Sequence, residues 1–92
     1  MMLVISWRES ARNDLARIIA FIAERNPFAA RGMRQVIEDS VLPAATHRYI
    51  FRPGRVPGTR KIVAHPNYIV IYEVRDTHIE VLAVLHTRQH YP

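Results

Sequence analysis

The C-terminal half of the chain contains two apolar segments of strand length that are separated by a short polar turn. Residues 69–74 and 79–86 are rich in Val, Ile and Leu, and the four residues 75–78 lie between them. Segments of this length and composition favour strands, and the link is short enough for an antiparallel hairpin. The nearly continuous apolar character of 69–72 and 81–85 predicts that both strands lie at the centre of a sheet. The rest of the sequence must therefore supply apolar surface to cover that sheet.

Two amphipathic helices in the N-terminal half supply this surface. In the first helix, apolar residues recur at helical spacing, at Ala11, Leu15, Ile18, Ile19 and Ile22. Ser6 and Glu9 have the spacing of a capping box and predict its start. Asn26 is a good helix cap and Pro27 suits a first helical position, so together they predict the second helix, which should end near Pro43. The two helices are expected to form an antiparallel hairpin.

One strand before the helical hairpin and three after it complete the predicted fold. Residues 2–7 form an apolar first strand, and residues 43–58 form a loop that has room for a helical turn. Three strands follow, at 59–65, 68–74 and 79–86. The order β-α-α-β-β-β predicts an α+β fold, in which an N-terminal helical hairpin packs on a mostly antiparallel four-stranded sheet with the first strand at one edge. A chain of 92 residues has room for a single domain, 1–92.

Features that the sequence lacks exclude several kinds of protein and site. The chain has no cysteine, which excludes disulfides and thiolate chemistry and fits a cytoplasmic location. No apolar stretch approaches the roughly 20 residues of a membrane span, so no membrane association is expected. His86 and His90 are four residues apart, but no carboxylate or cysteine accompanies them at this strand end. We therefore expect neither a metal site nor any other cofactor.

Positive charge is concentrated in one segment. The net charge is +5, and residues 47–61 contain five cations and no acid. A basic block beside a sheet indicates binding to phosphate or to an acidic protein. The residues expected to bind nucleic acid or another target are Arg52, Arg55, Lys61 and His90. The alternative is a solvated loop in an arginine-rich chain, since twelve of the thirteen cations are Arg.

The last strand ends in a cluster of groups that are suited to phosphate chemistry. Strand alternation places His86 and Arg88 on one side, opposite Val81. With Arg60 or Lys61 they are predicted to line one groove, for which the 47–58 loop forms the rim.

Cleavage of RNA requires a base, an acid and cations that stabilise the phosphorane. His86 or His90 can exchange a proton near neutrality, Arg60 and Arg88 can clamp the phosphate, and Tyr91 can stack on a base or pass a proton. The alternative is structural, with His86 and Tyr91 completing the core and Arg88 solvated.

The second half of the sequence resembles the RelE/ParE superfamily of bacterial type II toxins. The segments that carry the resemblance are 54–63, 65–74 and 84–92, and the first helix is similar in a more generic way. The resemblance implies a toxin that arrests growth, is neutralised by a co-encoded antitoxin and forms a toxin–antitoxin hetero-oligomer.

The resemblance leaves two targets open. The mRNA interferases of this superfamily are metal-independent endoribonucleases that cut ribosome-bound mRNA, and they usually have an arginine where this chain has Ile69. Their last strand tends to end in basic, His and Tyr residues, and this chain resembles them there in His86, Arg88, His90 and Tyr91. The branch that poisons DNA gyrase has an apolar residue at the position of Ile69 and often ends its last strand in the Leu-His-x-Arg pattern, which residues 85–88 match equally well. A different class of function is a small, non-toxic, basic module that binds nucleic acid or protein.

Overall fold

The predicted α+β arrangement is confirmed in a computed structural model, which describes residues 2–88. The chain order is strand, three helices and four strands. The elements are β1 (Val4–Trp7), α1 (Glu9–Ala23), α2 (Pro27–Ser40), α3 (Leu42–Thr46), β2 (Arg52–Pro53), β3 (Thr59–His65), β4 (Tyr68–Val74) and β5 (His78–His86). No helix within this part of the chain is both long and apolar enough to cross a membrane.

The sheet has five strands, in the order β1-β5-β4-β3-β2. β1 lies at one edge and runs parallel to β5, while the other neighbouring strands are antiparallel. The prediction of four strands was therefore short by one, since Arg52 and Pro53 pair with Lys61 and Arg60 at the other edge. A two-residue strand has no periodicity, so the sequence pattern could not show it.

The helical hairpin packs on one face of the sheet and buries the core. Tyr72, Ile79 and Val81 contribute fully buried side chains from the central strands, and Ile37 contributes one from α2. Leu15 of α1 joins the same cluster. This face is called the helix face below, and the opposite face is called the open face.

A bulge in β5 changes which side chains share a face. Ile71 pairs with Ala83 but Tyr72 pairs with Val81, so Leu82 is an extra residue without a partner on β4. Because directly paired residues share a face, Val84 and His86 lie on the same helix face as Val81. The predicted alternation, which placed His86 opposite Val81, was wrong for this reason.

The N-terminal part of α1 completes the edge of β5 where β1 ends. β1 pairs only as far as Val81, which leaves the next backbone groups of β5 without a strand beside them. The Ser10 hydroxyl donates to the Leu82 carbonyl oxygen at 2.9 Å, and the Val84 N–H donates to Asp14 Oδ2 at 3.1 Å. These helix side chains therefore take the place of a neighbouring strand.

The two predicted helix starts had different outcomes. Asn26 caps α2 as expected, with its side-chain oxygen accepting from the Ala29 N–H at 3.0 Å. The capping box predicted for α1 was wrong, because Ser6 lies in β1 and the cap position is Arg8, which makes no side-chain capping bond.

Candidate functional site

The basic loop, residues 47–61, is held in a defined shape by its own turn. The Gly54 N–H donates to the Thr59 carbonyl oxygen at 2.8 Å, and the Thr59 hydroxyl donates to the Val56 carbonyl oxygen at 2.6 Å. A Cβ on Gly54 would collide with the Thr59 hydroxyl, and Gly58 has a φ of +88°, so both positions require glycine. The cations of the loop are therefore presented from a constrained backbone.

An aromatic ring and two guanidinium groups form a cluster on this loop. The carbon at the centre of the Arg60 guanidinium lies 5.2 Å from the Tyr49 ring centroid, and that of Arg48 lies 5.7 Å away. Arg60 is anchored, because its Nη1 donates to the Phe51 carbonyl oxygen at 3.0 Å. Tyr49 was missed by the sequence analysis, although an aromatic residue inside a block of cations is a signal that could have identified it.

The cluster is tied to the core through Tyr72. The Tyr72 ring is fully buried, and its hydroxyl donates to the Arg48 carbonyl oxygen at 2.6 Å. Burial raises the pKa of Tyr72 to about 12, partly opposed by the charge of Arg60. A shallow cavity of about 230 Å³ lies beside the cluster, lined by Tyr49, Pro53, Gly58, Thr59, Arg60 and Val74.

The predicted proton-transfer residue His86 lies at the other end of the sheet. It pairs with Tyr68, which pairs with His65, so the three rings form a row across three strands. The Tyr68 and His86 ring centroids are 5.4 Å apart in an edge-on arrangement. His86 Nδ1 accepts from the Arg88 N–H and His65 Nδ1 accepts from the Asn67 N–H, both at 3.1 Å. Nε2 therefore carries the proton of each neutral ring.

The structure does not bring Arg60 and His86 together. Arg60 is paired with Tyr72 and His86 with Tyr68, four residues apart on β4, or about 13 Å along the strand. Lys61 faces the other side of the sheet, because it pairs with Ile71. The prediction of one groove shared by Arg60 or Lys61, His86 and Arg88 was therefore wrong.

The remaining candidate residues are spread over the molecule. Arg52 pairs with Lys61 and so shares the open face with it. Arg55 is exposed within the turn, and Arg88 is exposed beyond the end of β5. His90 and Tyr91 lie outside the described residues. Within residues 2–88, no three His, Asp or Glu side chains are close enough to hold a metal ion.

An ion cluster around Glu80 occupies the open face near β1. Glu80 lies 2.6 Å from Arg8 and 3.3 Å from His78, and Arg75 lies 3.9 Å away. Hydrogen bonds from Arg8 and then from His78 lower the pKa of the Glu80 carboxyl below its ordinary value. The sequence analysis did not identify this cluster, because its members come together only through the pairing of strands.

The sequence matches a family model and one named relative over nearly its whole length. Residues 5–91 match the family described as ParE toxin of type II toxin-antitoxin system, parDE. The putative toxin Y4kP of Sinorhizobium fredii (strain NBRC 101917 / NGR234) is 36% identical over 90 residues, covering 96% of this chain and 92% of that protein.

Solved structures share the fold. One from the chromosomal ParDE TA system of P. aeruginosa has a TM-score of 0.82 and 24% identity, and the match covers 92% of this chain and 96% of that one. One from the toxin–antitoxin complex RelBE2 of Mycobacterium tuberculosis has a TM-score of 0.63 and 20% identity, with 94% and 99% covered. At these sequence identities the solved structures support the fold alone, and membership of the family rests on the match to the family model. The chain, whose hairpin-on-sheet fold is the one that the resemblance implied, belongs to the ParE toxin family of type II toxin–antitoxin systems.

Proposed function

We propose that this toxin arrests growth by acting on DNA gyrase and does not cut ribosome-bound mRNA. The observation that supports this choice is the distance between Arg60 and His86. RNA cleavage requires a proton-transfer group within hydrogen-bond reach of the hydroxyl that attacks, and cations on the same phosphate. The register of β3, β4 and β5 separates Arg60, one of the two arginines of the predicted clamp, from the predicted base His86 by about 13 Å of strand. We therefore propose that Arg60 and His86 do not act on the same phosphate.

The environment of His86 supports the same choice. Its Nδ1 accepts a hydrogen bond from the Arg88 N–H, and its ring lies edge-on to the buried Tyr68. These contacts suit a packing and turn-forming role, for which no proton exchange is needed. We accordingly propose that His86 and Arg88 shape the end of β5, while Arg52 and Lys61 on the open face, together with Arg55 in the turn, contact the target.

Two sequence features also favour gyrase. Ile69 occupies the position at which the resemblance to mRNA interferases implies an arginine, and it pairs with Leu85 across β4 and β5. The ending Leu85 to Arg88 fits the pattern of the gyrase branch. Gyrase and ribosomes both lie in the cytoplasm, so a cytoplasmic location is part of this proposal.

The partner that we propose is a co-encoded antitoxin with an acidic segment. Some of the structural neighbours come from a toxin–antitoxin system or complex, among them the E. coli DinJ–YafQ complex. The net charge of +5 favours a partner of opposite charge, and the exposed Phe28 and Val4 offer apolar surface to it. We expect the two proteins to co-purify as a hetero-oligomer at moderate salt.

Two assays run side by side test the choice of target. Purified toxin is added to DNA gyrase in a supercoiling assay and to translating ribosomes with an mRNA that is mapped by primer extension. We expect loss of supercoiling with intact mRNA, reversed by the antitoxin, and the same result with His86→Gln. That substitution keeps hydrogen-bonding capacity but cannot exchange a proton near pH 7. New mRNA ends that disappear with His86→Gln would overturn the proposal in favour of catalysis.

A further inference from the structure

We propose that Tyr49 and its two arginines bind a single strand of nucleic acid, with Tyr49 stacking on a base, Arg60 supporting the ring and Arg48 contacting a phosphate. This activity is separate from the choice of target above. Single-strand binders combine a positive surface with aromatic rings on which bases stack, and both are present here on a constrained loop.

The exposure of Tyr49 is the first observation that supports this inference. Tyr49 is 62% exposed, whereas Tyr68 and Tyr72, the other tyrosines among residues 2–88, are buried. Ile50 beside it is 67% exposed. A tyrosine in a folded chain normally places its ring against apolar surface, so a largely exposed ring has a face that a base can reach once Arg48 leaves it.

The contacts of the two arginines differ in a way that suits stacking. The Arg60 guanidinium is held by the Phe51 carbonyl oxygen and remains beside the ring, which stiffens it. Arg48 is exposed, and its guanidinium lies over the Tyr49 ring without an anchor like that of Arg60 among residues 2–88. It can therefore leave the ring for a phosphate when a base takes its place. The cavity of about 230 Å³ between Tyr49, Thr59 and Arg60 gives the base a recess at this position.

The positive charge of residues 47–61 favours a polyanion as the ligand, and the exposed Tyr49 ring favours a nucleic acid over an acidic peptide. No acidic residue occurs anywhere in residues 47–61. An acidic peptide would satisfy the arginines, but its carboxylates would gain nothing from an exposed ring. A nucleic-acid strand satisfies both, because every base has a π-face and every linkage has a charge.

The experiment measures binding of labelled oligothymidylate of about twelve nucleotides, which is within the usual site size for such surfaces. Fluorescence anisotropy is recorded over a range of salt concentrations, beside an abasic strand of the same length. Tyr49→Ala is expected to bind oligothymidylate about 5- to 100-fold more weakly, and Tyr49→Phe about as well as the parent. The slope of the logarithm of the binding constant against the logarithm of salt concentration, called the salt slope below, should become shallower by about 0.7 in Arg48→Gln.

The abasic strand separates stacking from simple charge attraction. The parent protein should bind it about as weakly as Tyr49→Ala binds oligothymidylate, and Tyr49→Ala should cause no further loss. The helical hairpin offers a matched control, since Phe28 is 78% exposed and Arg31 lies 5.9 Å from its ring. Phe28→Ala and Arg31→Gln should leave both the affinity for oligothymidylate and the salt slope nearly unchanged.

Equal binding of the abasic strand and oligothymidylate, or no effect of Tyr49→Ala, would overturn the inference. Polyglutamate that competes as well as the oligonucleotide would do the same and would assign the surface to an acidic protein. Thermal unfolding of each variant ensures that a loss of binding is not a loss of fold.

Discussion

At the scale of single residues, Tyr72 joins the hydrophobic core to the basic loop. Its ring is inaccessible to solvent, while its hydroxyl holds the backbone of Arg48 at 2.6 Å. The adjacent Tyr49 therefore stands on a backbone that is fixed by a core residue. A substitution at Tyr72 should change both the stability of the fold and the placement of the loop.

We expect stability to fall between pH 10 and pH 12 because of Tyr72. The pKa of its phenol is about 12 in the folded chain, against an ordinary value of 10.0. Between these values the folded state retains a proton that the unfolded state has lost, so the free energy of unfolding decreases as pH rises. Urea unfolding at several alkaline pH values measures this slope. Tyr72→Phe should flatten it and Tyr49→Phe should not, so equal slopes in all three proteins would contradict the assignment.

At the scale of elements, β5 shows how one strand serves two purposes. Its first half pairs with β1 on one side and β4 on the other. After the bulge at Leu82, its outer edge is completed by the side chains of α1 and its helix face carries Val84 and His86. The bulge thus allows one strand to contribute to the core at both ends, although the side-chain alternation is interrupted.

Asp14→Ala is expected to lower the free energy of unfolding by about 1–3 kcal/mol. The substitution leaves the partly buried N–H of Val84 without its acceptor at 3.1 Å. Asp14→Asn should retain most of the stability, because an amide oxygen can still accept. Asp39→Ala is the matched control, since Asp39 is also a helical aspartate with a side-chain partner, Gln35 at 2.8 Å, but it is exposed. Denaturant unfolding that shows equal losses for Asp14→Ala and Asp39→Ala would show that the strand edge does not depend on Asp14.

At the scale of the whole molecule, stability depends on one layer of contacts between the helical hairpin and the sheet. A chain of this size buries a modest fraction of its surface and is expected to be only marginally stable. Loss of toxicity in a variant can therefore arise from unfolding as easily as from a damaged surface. Any test of the target-binding residues requires a stability measurement beside it.

Ile37→Ala should lower the free energy of unfolding by about 2–5 kcal/mol, through lost burial and the cavity that remains. Ile37 is fully buried between α2 and the sheet, whereas its neighbour Val36 is 43% exposed. Val36→Ala should lower the free energy of unfolding by much less. Thermal denaturation of the two variants beside the parent protein measures this difference. A similar loss for both would mean that the hairpin does not pack as described.

How well the sequence predicts an element of this structure depends on how far apart in the chain the residues that stabilise the element lie. The start of α2 followed from Asn26 and Pro27 because a helix cap is made within three residues. The same reasoning failed at Ser6 and Glu9, where pairing of β1 with β5 holds Ser6 in a strand and α1 begins at Glu9. Local capping preferences were overridden by a long-range ladder.

The sequence by itself determined the order of the main elements, the central place of β4 and β5, and the concentration of charge in residues 47–61. Each of these follows from composition or from a period that neighbouring residues establish. Only the tertiary structure decided which of those residues meet. A single extra residue at Leu82 moved His86 to the helix face, and the strand register placed it far from Arg60. Whether residues on different strands form one site depends on the distances between them. Hydrogen-bond registers and bulges set those distances through contacts between distant parts of the chain, which no local sequence pattern reveals.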